Sequence, residues 1–187
     1  MKNFKAEAWV LPQPVSIIGT YNEDGTPNAM NAAWVTQCDY DKVFITMGSH
    51  KTTDNLKRCD EFTLAFATEE TTIAADFVGV VSGRKDPDKI ARTGWKATKG
   101  EKVNAPVFNV FPMTMECRIL AKLNEGEDGY MLIAEIVNIQ ADEKYLAEDG
   151  KPDVEKMKII SFDPVHNGYI VLGKTVGRAF HDGLALK

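Results

Sequence analysis

Residues Met113–Leu123 alternate almost without fault. Met113, Met115, Cys117, Ile119, Ala121 and Leu123 fall on one side, and Thr114, Glu116, Arg118, Leu120 and Lys122 on the other. A period of two marks an extended strand with one buried face and one mostly wet face. Asn124–Gly129 then reads as a hairpin connection and Tyr130–Ala141 as the returning strand. The return is apolar on both sides, with Met131, Ile133 and Val137 on one face and Leu132, Ala134 and Ile136 on the other. Such a strand needs cover on both faces, from a helix of the same chain or from a second subunit.

The rest of the chain supplies shorter strands. Val15–Tyr21 is rich in β-branched residues, Asn22–Pro27 has turn composition with Gly25 available for positive φ, and Asn28–Cys38 reads as the return. Val43–Met47, Phe62–Ala67 and Tyr169–Leu172 are further strand segments. Helices are expected at Thr52–Cys59, at Thr71–Val81 with an apolar face of Ile73, Ala74, Phe77, Val78 and Val81, and briefly at Asp88–Thr93. Gly94–Phe111 and Ala147–Lys158 have loop character. Six or more short antiparallel strands joined by hairpins favour a mainly β fold, a closed barrel with a few helices. The order is not an alternating βαβ one, and Gly79-Val-Val-Ser-Gly83 does not spell a dinucleotide fingerprint. With 187 residues, a single domain over 1–187 is expected.

Composition narrows the functional classes. The chain is 44% hydrophobic and 26% charged, as an ordinary soluble domain is. A net charge of −5 without a Lys/Arg cluster argues against a nucleic-acid partner. There is no apolar run long enough for a bilayer, and Met1–Trp9 lacks the apolar core of a secretory signal, so a cytoplasmic protein with no membrane partner is expected. Cys38, Cys59 and Cys117 form no Cys-x-x-Cys pair and read as buried free thiols; no metal site is expected. His50, His166 and His181 are scattered, and Asp163, His166 and Asn167 beside Pro164 and Gly168 read as a plain turn. No nucleophile elbow is present, and no catalytic residue is assigned.

The chemistry concentrates between Pro14 and Asn55. Two apolar strands lead into Asn28-Ala-Met-Asn-Ala-Ala-Trp-Val-Thr36, whose small Ala29, Ala32 and Ala33 leave room for a flat ligand beside the backbone. Asn31, Ala32, Ala33, Trp34, Val35 and Thr36 are candidates for the ring; a core strand with a buried Trp is the competing reading. Ser49-His-Lys-Thr-Thr-Asp-Asn55 opens a helix, where free N–H groups, the Lys51 charge and the Thr52 and Thr53 hydroxyls suit a phosphate. An ordinary helix cap is the alternative there. A planar-ring site next to an anion site points to FMN. Ser82-Gly83-Arg84-Lys85 is a basic loop able to meet a phosphate or an acidic donor.

The whole chain resembles the flavin reductase-like family with the FMN-binding split barrel, which includes the flavoredoxins. The resemblance rests on several segments in order: Pro14-Val-Ser-Ile-Ile-Gly-Thr, Asn28–Thr36, His50-Lys-Thr-Thr-Asp-Asn-Leu, Glu61-Phe-Thr-Leu-Ala, Gly79-Val-Val-Ser-Gly-Arg and Tyr169-Ile-Val-Leu-Gly. It implies a dimeric Greek-key barrel that binds FMN. It places Asn31–Thr36 beside the ring and Trp34 on or near it. It points to Thr52 and Asn55, with Ser49, His50, Lys51 and Thr53 around them, for the phosphate, and puts Ser82, Gly83 and Arg84 near the flavin. Lys89 matches the family's Asp-Lys pair with an interruption, Asp86-Pro-Asp-Lys89. The expected activity is transfer of hydride or electrons from NADH or NADPH through FMN to a small-molecule acceptor or a redox protein. A flavoredoxin-like carrier, a flavin-binding protein without turnover and a ligand-free barrel are the alternatives.

Overall fold

The computed structural model describes residues 1–187. Twelve strands form three antiparallel sheets: β1 (Gln13–Pro14), β2 (Ser16–Tyr21), β3 (Pro27–Ala32), β4 (Val35–Asp39), β5 (Lys42–Gly48), β6 (Glu61–Phe66), β7 (Ala97–Lys99), β8 (Pro106–Phe108), β9 (Met113–Gly126), β10 (Gly129–Ala141), β11 (Ile160–Asp163) and β12 (Gly168–Val171). The helices are α1 (Lys51–Leu56), α2 (Thr72–Val80), α3 (Lys89–Thr93) and α4 (Val154–Met157). The main sheet has seven strands in the order β3-β2-β6-β9-β10-β5-β4. Its two margins, β3 and β4, are joined only by Ala33 and Trp34, so the sheet curls into a barrel that is split there. This agrees with the mainly β, split-barrel architecture expected from the sequence.

Two cores lie on the two sides of this wall. Inside, Ile18, Met30, Val35, Ile45, Leu56, Phe62, Leu64, Met115, Leu132 and Ala134 pack together, with α1 closing one end through Leu56. Outside, Val15, Ile17, Ala29, Ala65, Val78, Ile90, Trp95, Phe108, Phe111 and Ile160 bind α2, α3 and the small sheets onto β2, β3 and β6. Strand β2 therefore sends Ile18 inward and Ile17 outward, which explains its burial on both faces. The Asn22–Thr26 turn is closed by Asn22 N–H to Thr26 O at 2.8 Å and Gly25 N–H to Asn22 O at 3.0 Å, with Gly25 at φ 80°.

Several sequence expectations need correction. Asn28–Cys38 is two strands, because the chain turns at Ala33–Trp34 to reach the opposite margin. Helix α1 ends at Leu56, where Lys122 Nζ donates to its carbonyl at 2.7 Å. Thr114 and Glu116, expected on a wet face, are buried, and the 100–105 loop bonds to Glu116 through the Lys102 and Val103 N–H groups. Strands β7 and β8 flank that loop, within the Gly94–Phe111 stretch expected to be loop. On α2 the buried residues are Ala75 and Val78, and Ile73 is 88% exposed. This helix lies over β3, where Asn31 Nδ2 donates to Ala75 O at 3.2 Å, and leaves β10 uncovered. Strand β10 buries Tyr130, Leu132 and Ala134, while Met131, Ile133 and Val137 are only half-buried. Of the cysteines only Cys117 is buried; Cys38 is exposed on the β4 margin and Cys59 is half-buried.

Candidate functional site

A cavity of about 230 Å³ opens where β3, α1 and the segment after α2 meet. It is lined by Asn28, Met30 and Asn31 from β3, His50, Lys51 and Thr52 from the start of α1, Val78–Gly83, and Lys89 from α3. None of these is a carboxylate, although the chain carries a net charge of −5. Two lysines and a histidine thus share a carboxylate-free pocket.

Lys89 is its most telling member. The residue is 3% exposed, and its Nζ donates to Val78 O at 2.9 Å and Val81 O at 3.0 Å, the carbonyls that α2 and its exit leave free. An ammonium has three N–H donors, so one remains for the cavity. Burial pulls its pKa down to about 8, partly opposed by the negative charge of Asp86. Burial, then the positive charges of Arg84 and Lys89, lowers the His50 pKa as well, which favours a neutral imidazole at pH 7. On the facing side, Asn28 Nδ2 donates to Thr52 Oγ1 at 2.9 Å and to Thr20 Oγ1 at 3.3 Å. Thr52 therefore accepts one hydrogen bond and keeps its own proton for a ligand. Two glycines keep the walls close: a Cβ on Gly79 would lie 3.0 Å from Asn31 Cβ, and one on Gly83 2.7 Å from Asn28 Oδ1.

The structure brings together seven of the residues singled out from the sequence: Asn31, His50, Lys51, Thr52, Ser82, Gly83 and Lys89. Ala33, Trp34, Val35 and Thr36 line a second, more apolar cavity of about 400 Å³ with Val10, Pro12 and Phe44, and Trp34 is 58% exposed rather than a buried core residue. Ala32 faces the barrel core instead. Thr53 caps α1, its hydroxyl accepting from His50 N–H at 2.8 Å and donating to His50 O at 2.7 Å. Asn55 is 2% exposed and spent inside the fold: its Nδ2 donates to Thr20 Oγ1 and Asn22 Oδ1, each at 3.0 Å, and its Oδ1 accepts from Arg58 at 2.9 Å. Arg84 pairs with Asp54 through two 2.8 Å bonds and also donates to Ser49 Oγ and to the Ser49 and His50 carbonyls. Ser49 and Arg84 thus fasten the 82–86 loop to α1 from outside the cavity. Asn28, Met30 and Val78–Val81 line the cavity without having been singled out for it. A polar Asn at an inward position of β3 was the available signal for the first of them.

A model of the flavin reductase like domain matches residues 9–153. No curated protein matches the chain. Among solved structures, it is similar to the flavoredoxin of Desulfovibrio vulgaris (Miyazaki F), at 30% identity and TM-score 0.91 over 98% of this chain and 99% of that one. It is also similar to a flavoredoxin from Methanosarcina acetivorans, at 26% identity and TM-score 0.88 over 100% of both. Nitrilotriacetate monooxygenase component B from Bacillus cereus shares the fold at 18% identity and TM-score 0.76, over 90% of this chain and 88% of that one.

Proposed function

This chain belongs to the flavin reductase-like family, and on that footing we propose that it is an FMN-dependent oxidoreductase. In this reading it passes hydride or electrons from NADH or NADPH to a small-molecule acceptor or a redox protein. The observation that carries the flavin assignment is the buried Lys89 ammonium, with a donor to spare, beside Lys51 in a carboxylate-free cavity. Buried charge calls for a partner of opposite sign, and a phosphate supplies one. The residues fit such a group: Lys51, Lys89 and the Thr52 hydroxyl converge as donors, and Gly79 and Gly83 keep the walls free of side chains.

A cavity of about 230 Å³ is below the roughly 300–1,000 Å³ of most ligand pockets. It suits the phosphate and part of the ribityl chain. Asn31 borders the first space and Ala33 the second, so Asn31 and Ala33–Thr36 are the residues that would hold the flavin ring. When bound, FMN supplies the redox chemistry, and the protein supplies position and electrostatics. Lys51 and Lys89 would hold the phosphate end. Neutral His50 adds a hydrogen-bonding group without a further charge. The split edge and the apolar outer face of β10 support a homodimer as the working form, and a cytoplasmic location goes with this reading. No helix of the structure is long and apolar enough to cross a membrane.

The test starts with the visible spectrum of the protein as purified, followed by titration with FMN and turnover with NADH and NADPH. A flavin spectrum, or quenching of added FMN fluorescence, with oxidation of either nicotinamide is expected. A colourless protein that leaves FMN fluorescence unchanged overturns the reading. The similarity to two flavoredoxins favours a second one, a carrier reduced by a protein without direct use of nicotinamide. Bound FMN without nicotinamide oxidation selects it.

A further inference from the structure

A polar groove of about 580 Å³ adjoins the phosphate cavity, lined by Asn22, Glu23, Asp24, Lys51, Gly83, Arg84 and Pro87. Lys51 and Gly83 line both spaces. They are close-packed there, since a Cβ on Gly83 would lie 3.3 Å from Lys51 Cβ and Cγ. A ligand whose phosphate is held at Lys51 and which continues beyond it has this groove open to it. FMN ends at that point. FAD continues with a second phosphate and an adenosine.

The far wall of the groove is the β2–β3 turn. Asp24 Oδ1 accepts from Thr26 N–H at 3.0 Å and Thr26 Oγ1 at 2.6 Å. The Thr26 hydroxyl and then its N–H hold the Asp24 carboxyl below the usual carboxylate range, so it is ionised at neutral pH. Glu23 is held only by Arg58 at 3.3 Å, with its side chain 88% exposed. The cations near them are Arg58, paired with Glu23 itself, Lys51, which the first phosphate engages, and Arg84, which Asp54 already neutralises at 2.8 Å. A second phosphate would therefore meet two carboxylates and no free cation.

We propose that the Glu23–Asp24 turn makes the site selective for a flavin ending in a single phosphate, by repelling the second phosphate of a dinucleotide. This rests on the phosphate reading of the Lys51–Lys89 cavity. Discrimination here comes from a repulsive element, since nothing in the groove has to bind FMN.

The test measures dissociation constants of riboflavin, FMN and FAD for the full-length protein and for Glu23→Gln/Asp24→Asn, which keeps the turn's oxygen acceptor. Glu23→Lys, at the exposed position, is the second variant and leaves the turn bonds of Asp24 intact. The wild type should prefer FMN to both other ligands. Each variant should tighten FAD by roughly three- to tenfold, with FMN within about twofold, and the gain should shrink in 0.5 M salt, where the Debye length falls to about 4 Å. An FMN:FAD ratio unchanged in both variants, with FMN still preferred to riboflavin, overturns this proposal alone. Riboflavin bound as tightly as FMN by the wild type overturns the phosphate reading, and this proposal with it.

Discussion

A lysine buried to 3% exposure and bonded only to carbonyls is costly scaffolding, because an apolar side chain would fill the space without desolvating a charge. A ligand that takes the third N–H would complete its bonding. Lys89→Met should therefore weaken FMN at least tenfold, as loss of a charge-assisted bond costs about 1.5–3 kcal/mol, and leave riboflavin nearly unchanged in the same fluorescence titration. The ammonium pKa of about 8 adds a pH dependence. FMN binds the protonated lysine better, so its affinity should fall as pH rises through about 8, with riboflavin as a flat control. For the unliganded protein the sign reverses. The folded pKa lies below the ordinary 10.5, so the unfolded chain holds more protons between those values, and stability should rise with pH across about 8 to 10.5. Thr52→Ala should also weaken FMN more than riboflavin; equal loss of both would make Thr52 only the partner of Asn28. Lys51 and Thr52 were singled out in the sequence as a charge and a hydroxyl at a helix start, and Lys89 only through the family resemblance. Thr53 and Asn55 were harder to place, because a ligand-binding turn and a self-satisfied cap use the same residue types. Only the structure shows where their hydrogen bonds go.

Strands announced themselves by alternation and turn residues; which faces they bury did not follow. Thr114 and Glu116 sit at positions that alternation assigns to solvent, yet Glu116 is 0% exposed. Its Oε2 accepts from Lys102 N–H at 2.6 Å and Val103 N–H at 3.0 Å, and its Oε1 from Asn138 at 2.8 Å and Gln140 at 2.5 Å. The carboxylate ties the 100–105 loop to β9 and β10, a contact between segments far apart in the chain that no local period can register. Burial pushes its pKa up, but bonds from Asn138, the Lys102 N–H and Gln140 outweigh that and hold it below the usual value. Its contribution to stability is present above the unfolded carboxylate pKa and lost as pH falls through the lower folded one. Glu116→Gln leaves an acceptor facing one pair of donors and turns an N–H₂ toward the other. It should destabilise by about 2–4 kcal/mol in urea unfolding, and the mutant should show a weaker loss of stability between pH 5 and pH 3 than the wild type. Equal acid sensitivity would place the acid transition in other carboxylates. The α2 face was right at Val78, buried in the outer core, and at Ala74 and Phe77, which pack against it, and wrong at Ile73. Helical periodicity favoured Ile73, but Ile73 is exposed and Ala75 is buried instead, its carbonyl accepting the Asn31 bond.

The molecule exposes more apolar surface than its own fold uses. Phe4, Trp9, Val10 and Leu11 at one end of the chain and Val176, Phe180, Leu184 and Leu186 at the other are exposed, as are Leu120 and Leu123 on β9 and Ile139 on β10. An apolar groove of about 460 Å³, lined by Val35, Tyr40, Met113, Met115, Ile136 and Ile139 among others, opens beside the β4 margin. Exposed apolar surface of this extent suits association. Light scattering at tens of micromolar should give the mass of a dimer, and Ile139→Asp, which alters an exposed side chain, should shift it toward the monomer. A wild-type monomer would refute the homodimer. An intact Ile139→Asp dimer would move its interface off β10. The two-faced apolar pattern of β10 was readable from the sequence, but its cover was not, since a period says that a face needs burying without saying by what. The two-residue link at Ala33–Trp34 has a consequence for heat denaturation. It joins β3, which carries Asn31 into the ligand cavity, directly to β4, the free margin of the sheet. Ligand occupancy and self-association then draw on the same short stretch of backbone, so each should favour the other by mass action. The melting temperature should climb with protein concentration as well as with FMN, and the increment from a fixed excess of FMN should be larger in concentrated than in dilute solution.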